Sequence, residues 1–115
     1  MEKKVIVEGK EIRLKTSGAL PRVYRIAFQR DIFKDLNSLA YITDEDLVEA
    51  ETGEVLENIA YAMAKHADPK IPDTVEEWLE QFEDPRAVTS MLDDVLELWH
   101  AENKEDSTSK KESEK

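Results

Sequence analysis

Apolar residues recur every three or four positions through most of the chain beyond residue 20, and this spacing restricts the fold to packed helices. The clearest run covers residues 54–67, where Glu54, Glu57 and Lys65 face away from one apolar stripe. The stripe contains Val55, Leu56, Ile59, Ala60, Met63 and Ala64. Because an amphipathic helix buries its apolar face against other elements, we expect this run to be the main helix of a small bundle.

The first helical segment starts near Pro21, a residue that suits the first turn of a helix. Apolar residues then recur at helical spacing from Val23 to about Tyr41. The simplest interpretation is a single helix over residues 20–41, with a bend near Arg30.

A short helix is predicted between that segment and the main helix. Thr43 suits a helix N-cap, and the three acidic residues after it suit the positive end of the helix dipole. Gly53 then interrupts the pattern, and glycine costs a helix interior about 1 kcal/mol relative to alanine. We therefore predict a helix over residues 44–51, a break, and then the helix over 54–67.

Asp-Pro pairs at residues 68–69 and 84–85 mark the remaining boundaries. The residue before a proline avoids the helical region, so the first pair ends the main helix. Asp73, with a glutamate three positions later, resembles a capping box and predicts a helix over residues 74–82. The second pair opens a last helix over residues 85–102.

The N-terminal residues predict a β-hairpin over residues 4–16. Residues 5–7 form a β-branched run, and Ile12 and Leu14 alternate with charged residues. Gly9 lies between the two runs and can adopt the positive φ of a tight turn. An isolated hairpin is only marginally stable in water, so it must pack on the helices. The predicted fold class is α+β, mostly α, with an N-terminal β-hairpin packed on a bundle of about four to five helices.

The end of the chain has a different composition. Residues 104–115 contain no hydrophobic residue. Such a segment cannot bury enough apolar area to offset its chain entropy, so we expect a disordered polar C-terminal tail. A length of 115 residues suits one core, which we place in a single domain over residues 1–103.

Charge is distributed unevenly along the chain. The formal net charge is −11, with +4 in residues 1–42 and −15 in residues 43–103. Nucleic-acid binding draws its affinity from cations that neutralise phosphates, and anionic membrane surfaces attract basic segments. No stretch approaches the ~20 apolar residues of a membrane span. We therefore expect no nucleic acid and no membrane as partner, and a soluble, intracellular protein.

The sequence holds no residue pattern typical of catalysis or metal binding. The chain has no cysteine, and its 3 glycines are scattered, which excludes thiolate chemistry and a glycine-rich phosphate loop. His66 and His100 each lie near the C-terminus of a predicted helix, where an imidazolium is stabilised by the helix dipole. Neighbouring carboxylates such as Asp93 and Asp94 point about 100° apart on a helix. We therefore expect a non-enzymatic protein without metal or cofactor.

Two tryptophans are candidates for contacts with a partner. Tryptophan is enriched at interface hot spots, and a core of this size has limited room for two fully buried ones. We predict a partner-binding groove, rimmed by acidic residues, between the main helix and the last helix. The candidate interaction residues are Met63, Trp78, Phe82, Met91, Val95 and Trp99. The alternative is that these side chains pack in the core, the more common role of an apolar stripe.

Five segments of the chain occur in a characteristic order. They are residues 30–36 (RDIFKDL), 57–65 (ENIAYAMAK), 67–72 (ADPKIP), 76–82 (EEWLEQF) and 95–99 (VLELW). With the N-terminal hairpin, this succession resembles the tail assembly chaperones of long-tailed phages and prophages of Gram-positive bacteria. The order and spacing of MAK, ADP, IP and EWLEQF are its most specific part, and the resemblance extends to about Asn103.

The resemblance implies a non-enzymatic role in virion morphogenesis. Such chaperones are thought to coat the long, apolar tape-measure protein before the tail tube polymerises around it, and then to leave the finished particle. The implied partners are the tape-measure protein, the tail tube protein as a second candidate, and further copies of the same chain. The implied location is the cytoplasm of a bacterial host.

The family often makes a longer form by ribosomal frameshifting near the end of the short reading frame. Lys110-Lys111 lies in the polar tail and suits an A-rich slippery run. A module fused there would leave the fold undisturbed. A nucleotide sequence without a heptameric slip site and an overlapping downstream frame would exclude this hypothesis.

The charge pattern leaves a second hypothesis open. A segment with a net charge of −15 over residues 43–103 can mimic nucleic acid and inhibit a DNA-binding host protein. Such an inhibitor would bind a basic surface tightly and in a salt-sensitive way. It would be indifferent to a hydrophobic helical client, which separates the two hypotheses.

Overall fold

The structure is a computed structural model and describes residues 1–41 and 50–100. Its elements are β1 (Glu2–Val7), β2 (Lys10–Lys15), α1 (Leu20–Phe28), α2 (Ile32–Ala40), α3 (Ala50–Ala67), α4 (Val75–Leu79), a 3₁₀ helix (Ala87–Met91) and α5 (92–100). The predicted class, α+β and mostly α with an N-terminal hairpin, is confirmed. Most of the predicted helix over 44–51 and the whole predicted tail over 104–115 lie outside the described residues.

The predicted hairpin is confirmed, and its first strand begins at Glu2, two residues earlier than expected. β1 and β2 are antiparallel, and Val5 is paired with Ile12. The two-residue turn places Glu8 at φ 53° and Gly9 at φ 77°, the left-handed region that suits a tight hairpin turn. Ile12 and Leu14 point into the core and are buried. The alternation of apolar and charged residues in β2 therefore specifies which face of the hairpin packs on the helices.

The main helix, α3, is the centre of the fold. It packs against β2, α1, α2, α4 and the 3₁₀ helix. Leu56, Ile59 and Met63 are fully buried on its apolar stripe. The predicted break at Gly53 is wrong, because α3 runs through this residue from Ala50 to Ala67. The helix-propensity cost of one glycine, about 1 kcal/mol, is smaller than the gain from burying several large apolar side chains at about 1.5–3 kcal/mol each.

The predicted single helix over 20–41 is also wrong, because the chain forms two helices there. Gln29 has φ 59° and ends α1, and its backbone N–H donates to the Arg25 carbonyl. Asp31 then caps α2 by accepting a hydrogen bond from the backbone N–H of Phe33 at 2.9 Å. The left-handed Gln29 ends one helix, and the N-cap Asp31 starts the next. These two local features outweigh the continuous apolar spacing that predicted a single helix.

One face of α1 is buried against α2 and α3. Leu20 and Tyr24 point into the core, whereas Val23 and Ile26 are 39% and 67% exposed. The apolar residue Val23, with which the predicted spacing begins, therefore lies outside the buried face of α1.

The predicted helix over 74–82 is shorter in the structure and has a different cap. Thr74, one residue after the predicted Asp73, accepts from the backbone N–H of Glu77 at 3.2 Å, and its hydroxyl donates to the Glu77 carboxylate. The N-cap is therefore one position later than predicted, and the reciprocal bond of a capping box is replaced by a contact between the Glu77 carboxylate and the Thr74 hydroxyl. Asp73 does not cap the helix, and its carboxylate instead pairs with Lys65 at 2.9 Å.

The predicted last helix over 85–102 begins differently. Asp84 accepts from the backbone N–H of Arg86 at 2.8 Å in a local turn. A 3₁₀ helix, Ala87–Met91, follows and leads into α5. The Asp-Pro pair therefore starts a tight turn, and regular α-helix begins several residues later.

Two polar contacts tie the hairpin to this C-terminal part of the fold. The Glu8 carboxylate accepts from the backbone N–H groups of Glu83 and Asp84 at 2.8 and 2.9 Å, and these bonds lower the pKa of Glu8. Lys3 lies 3.0 Å from Asp94 and 2.9 Å from Glu97. The basic N-terminal strand is thus held against the acidic α5.

Candidate protein-binding surfaces

The six predicted interaction residues do not share one surface. Met63, Met91 and Val95 are 0% exposed and Trp78 is 2% exposed, so these four side chains belong to the core. Phe82 and Trp99 are partly buried. The predicted groove between the main helix and the last helix is therefore filled by core packing, and the prediction that it is an open groove is wrong. A stripe of apolar residues has the same spacing in a core as in a groove, so spacing could not distinguish the two.

An open apolar groove lies elsewhere, between α2 and α5. Its apolar lining is Phe33, Leu36, Ala40, Leu96 and Trp99, and its polar lining is Asp31, Lys34, Asn37 and His100. The cavity volume is about 480 Å³. We call this feature the α2–α5 groove. Of the six predicted interaction residues, Trp99 alone lines this groove.

The helical geometry of α2 explains why Phe33 faces outward. Ile32, Leu36 and Leu39 lie on one face at helical spacing and are buried. Phe33 lies about 100° further round the helix, beside that buried face. Its ring is 56% exposed and meets the ring of Trp99 edge to face, at a centroid distance of 5.3 Å. The exposed Phe33 and the partly buried Trp99 thus form an aromatic edge of the groove.

A smaller pocket lies between β2 and α4, on another part of the surface. Its apolar floor contains Ile12, Ala64, Ile71, Pro72 and Trp78, and its rim contains Glu11, Arg13, Asp68, Glu77 and Gln81. The cavity volume is about 210 Å³. We call this feature the β2–α4 pocket. Sequence reasoning missed it because its residues come from β2, α3, α4 and the segments that follow these helices, which are far apart in the chain.

The loop between α3 and α4 is held in place by side chains of α3. Lys65 donates to the carbonyl oxygens of Pro69 and Ile71 at 2.9 and 2.8 Å, in addition to its ion pair with Asp73. The Tyr61 hydroxyl donates to the carbonyl oxygen of Pro72. The lysine of the MAK segment thus positions the ADPKIP segment, which forms one wall of the β2–α4 pocket.

A buried polar network joins α1 to α2. The Tyr24 hydroxyl donates to Asp35 at 2.7 Å, and Arg30 donates to both carboxylate oxygens of Asp35 at 2.7 and 2.8 Å. Burial raises the pKa of Asp35, but the hydrogen bonds from Arg30 and Tyr24 outweigh it and hold this pKa below its ordinary value. Burial and the bond to Asp35 raise the pKa of Tyr24. The network therefore holds an ionised Asp35 and fixes the angle between the two helices.

His66 contacts the residue that follows the hairpin. Its Nε2 lies 2.7 Å from the Ser17 hydroxyl oxygen, which also accepts from the backbone N–H of Ala19. Burial, together with the positive charges of Lys15 and the N-terminus, lowers the pKa of His66. Burial and the two nearby cations therefore act against an imidazolium at this end of the helix.

The lowered pKa of His66 predicts a loss of stability in mild acid. The unfolded chain, with an ordinary histidine pKa near 6.5, binds a proton before the folded chain does. The free energy of unfolding is therefore expected to fall as the pH decreases from about 6.5 towards the folded-state pKa. Urea unfolding at pH 7.5 and pH 5.5 measures this. H66Q should show a smaller decrease than the wild type, and equal decreases would contradict the prediction.

Among residues 1–41 and 50–100, no group of three or more His, Asp or Glu side chains could hold a metal ion. None of the helices described here is both long and apolar enough to cross a bilayer.

No family model, curated protein or solved structure matches the chain.

Proposed function

We propose that this protein is a phage tail assembly chaperone that binds the tape-measure protein and keeps it soluble while the tail tube assembles, without covalent chemistry. The observation that carries the proposal is the α2–α5 groove, with Phe33 56% exposed beside Trp99. The resemblance of five ordered segments to such chaperones supports the same function.

The groove suits a helical, apolar client. A helix-in-groove interaction needs apolar anchors on the client and an open apolar channel between two helices of the binding domain. The α2–α5 groove provides aromatic and aliphatic side chains from both walls. Lys34 and Asp31 at its border can pair with charges that flank the apolar stripe of a client helix.

The charge of the chain supports a solubilising role. A net charge of −11 on 115 residues makes coated complexes repel one another in solution. An apolar client covered by such domains would expose an acidic surface in place of its own apolar one. This combination of an apolar groove and an acidic exterior is what a holding chaperone requires.

Co-expression tests the proposal. We expect this chain to raise the soluble fraction of the tape-measure protein encoded near it by at least about fivefold. The F33D variant should lose most of that gain, because client binding would then have to desolvate a charge in the groove. I26D is the matched control, since Ile26 is 67% exposed but lies on α1, away from the groove.

No gain with the wild-type chain, or an equal gain with F33D, would contradict the proposal. If a captured partner is instead basic and leaves the chain on addition of salt, the inhibitor that mimics nucleic acid becomes the better hypothesis. A client held in the apolar groove should stay bound at high salt.

A further inference from the structure

We infer that the β2–α4 pocket binds a lysine or arginine side chain presented by a polypeptide partner. The inference concerns a second site, away from the α2–α5 groove, and does not depend on the partner being a tape-measure protein. It combines the size of the pocket, the charge of its rim and the chemistry of its floor.

The pocket has the size of one long side chain. Its volume of about 210 Å³ is below the range of about 300–1,000 Å³ that is usual for small-molecule sites. The floor is apolar and includes Ile12, Ile71 and Trp78. An aliphatic stem of three or four methylene groups can cover such a floor while its charged end stays at the rim.

The rim carries an excess of negative charge. Glu11, Asp68 and Glu77 line the pocket, and no ion pair engages any of them among the residues that the structure describes. Arg13 is the one cation of the lining, and its guanidinium is already paired with Glu2 at 2.8 Å and with the Ala67 carbonyl oxygen at 3.1 Å. A cationic ligand is therefore favoured over an anionic one.

Trp78 indicates that the ligand is part of a peptide. Its side chain is 2% exposed and lines the pocket, and its indole N–H has no hydrogen-bond partner within the described ranges. Fully enclosed side-chain nitrogen and oxygen atoms in those ranges all have partners, so this N–H is not fully enclosed. A backbone carbonyl of a bound peptide would be a suitable acceptor for it, whereas a free amine offers none.

Nuclear magnetic resonance can test the site with a defined probe. The blocked tripeptide acetyl-Ala-Lys-Ala-amide is titrated into the full ¹⁵N-labelled chain at low salt. We expect the indole resonance of Trp78 to move and that of Trp99, which lies in the α2–α5 groove, to stay in place. The control peptide carries norleucine in place of lysine, which keeps the aliphatic stem but removes the charge. We expect its affinity to be lower than that of the lysine peptide by a factor of about five or more.

Variants of the rim provide the second arm. Glu11 and Glu77 are both exposed, so E11Q combined with E77Q should leave the chain folded and weaken binding of the lysine peptide about fivefold. E76Q is the matched control, because Glu76 lies on α4 but not in the pocket. Equal shifts with lysine and norleucine, no shift at millimolar peptide, or an unchanged affinity in the double variant would each overturn the inference.

Discussion

Replacement of Asp35 by alanine is expected to lower the free energy of unfolding by about 3 kcal/mol. The variant leaves the buried Tyr24 hydroxyl without its acceptor and removes the partner of Arg30. This cost is at the lower end of the range for removing one partner of a buried ion pair. The Arg30 side chain is 49% exposed, so it can be hydrated after it loses Asp35. Urea denaturation monitored by circular dichroism measures the change.

Two variants separate the parts of this network. Y24F removes one hydroxyl and leaves the Asp35–Arg30 pair in place, so it should cost about 1 kcal/mol. D31A removes the exposed cap of α2 on the same helix and should also cost about 1 kcal/mol. If D35A costs no more than D31A, Asp35 does not hold the two helices together.

The network also has a defined pH dependence. The pKa of Asp35 is lower in the folded chain than its ordinary value near 3.9, so the unfolded chain takes up the proton first as the pH falls. The stabilisation is therefore complete above about pH 5 and is lost as the pH decreases through the ordinary pKa towards the folded-state pKa. This range lies below the one in which His66 titrates, so the two effects are separable.

Replacement of Trp78 by alanine is expected to cost about 3–5 kcal/mol, the usual loss for a large aromatic side chain in a core. Trp78 is 2% exposed, and its ring meets Tyr61 and Phe82 edge to face at 5.7 and 5.6 Å. The variant would leave a cavity between α3 and α4 that the pinned loop cannot close. Thermal and urea unfolding measure the loss.

Trp99 is the matched control for Trp78. Trp99 is partly buried, and its ring contacts the ring of the exposed Phe33. W99A should therefore lower the free energy of unfolding by only about 1–2 kcal/mol. W99A should nevertheless weaken client binding in the co-expression assay, whereas I26D should not. Equal losses of stability in the two tryptophan variants would contradict the assignment of one to the core and the other to the groove.

The sequence did not locate an open groove. Both tryptophans were candidates for one groove with Met63 and Val95, but Trp78, Met63 and Val95 are buried in the core and Trp99 is partly buried. The periodicity of these residues identified one apolar face on each helix. Which faces meet one another depends on the angles between helices, and the break at Gln29 and Asp31 changes those angles.

Local patterns in the sequence by themselves determined the hairpin and the helical character of the rest. Gly9 acts through backbone sterics, and the periods of the apolar residues in β2 and α3 match the local repeats of a strand and a helix, so these signals can be read without knowing the packing partners. Tertiary structure alone decided that Phe33 is exposed, that α3 continues through Gly53, and that Glu11 and Trp78 border one pocket. Those outcomes depend on contacts between residues far apart in the chain, where burial of several side chains outweighs the local preference of any one residue.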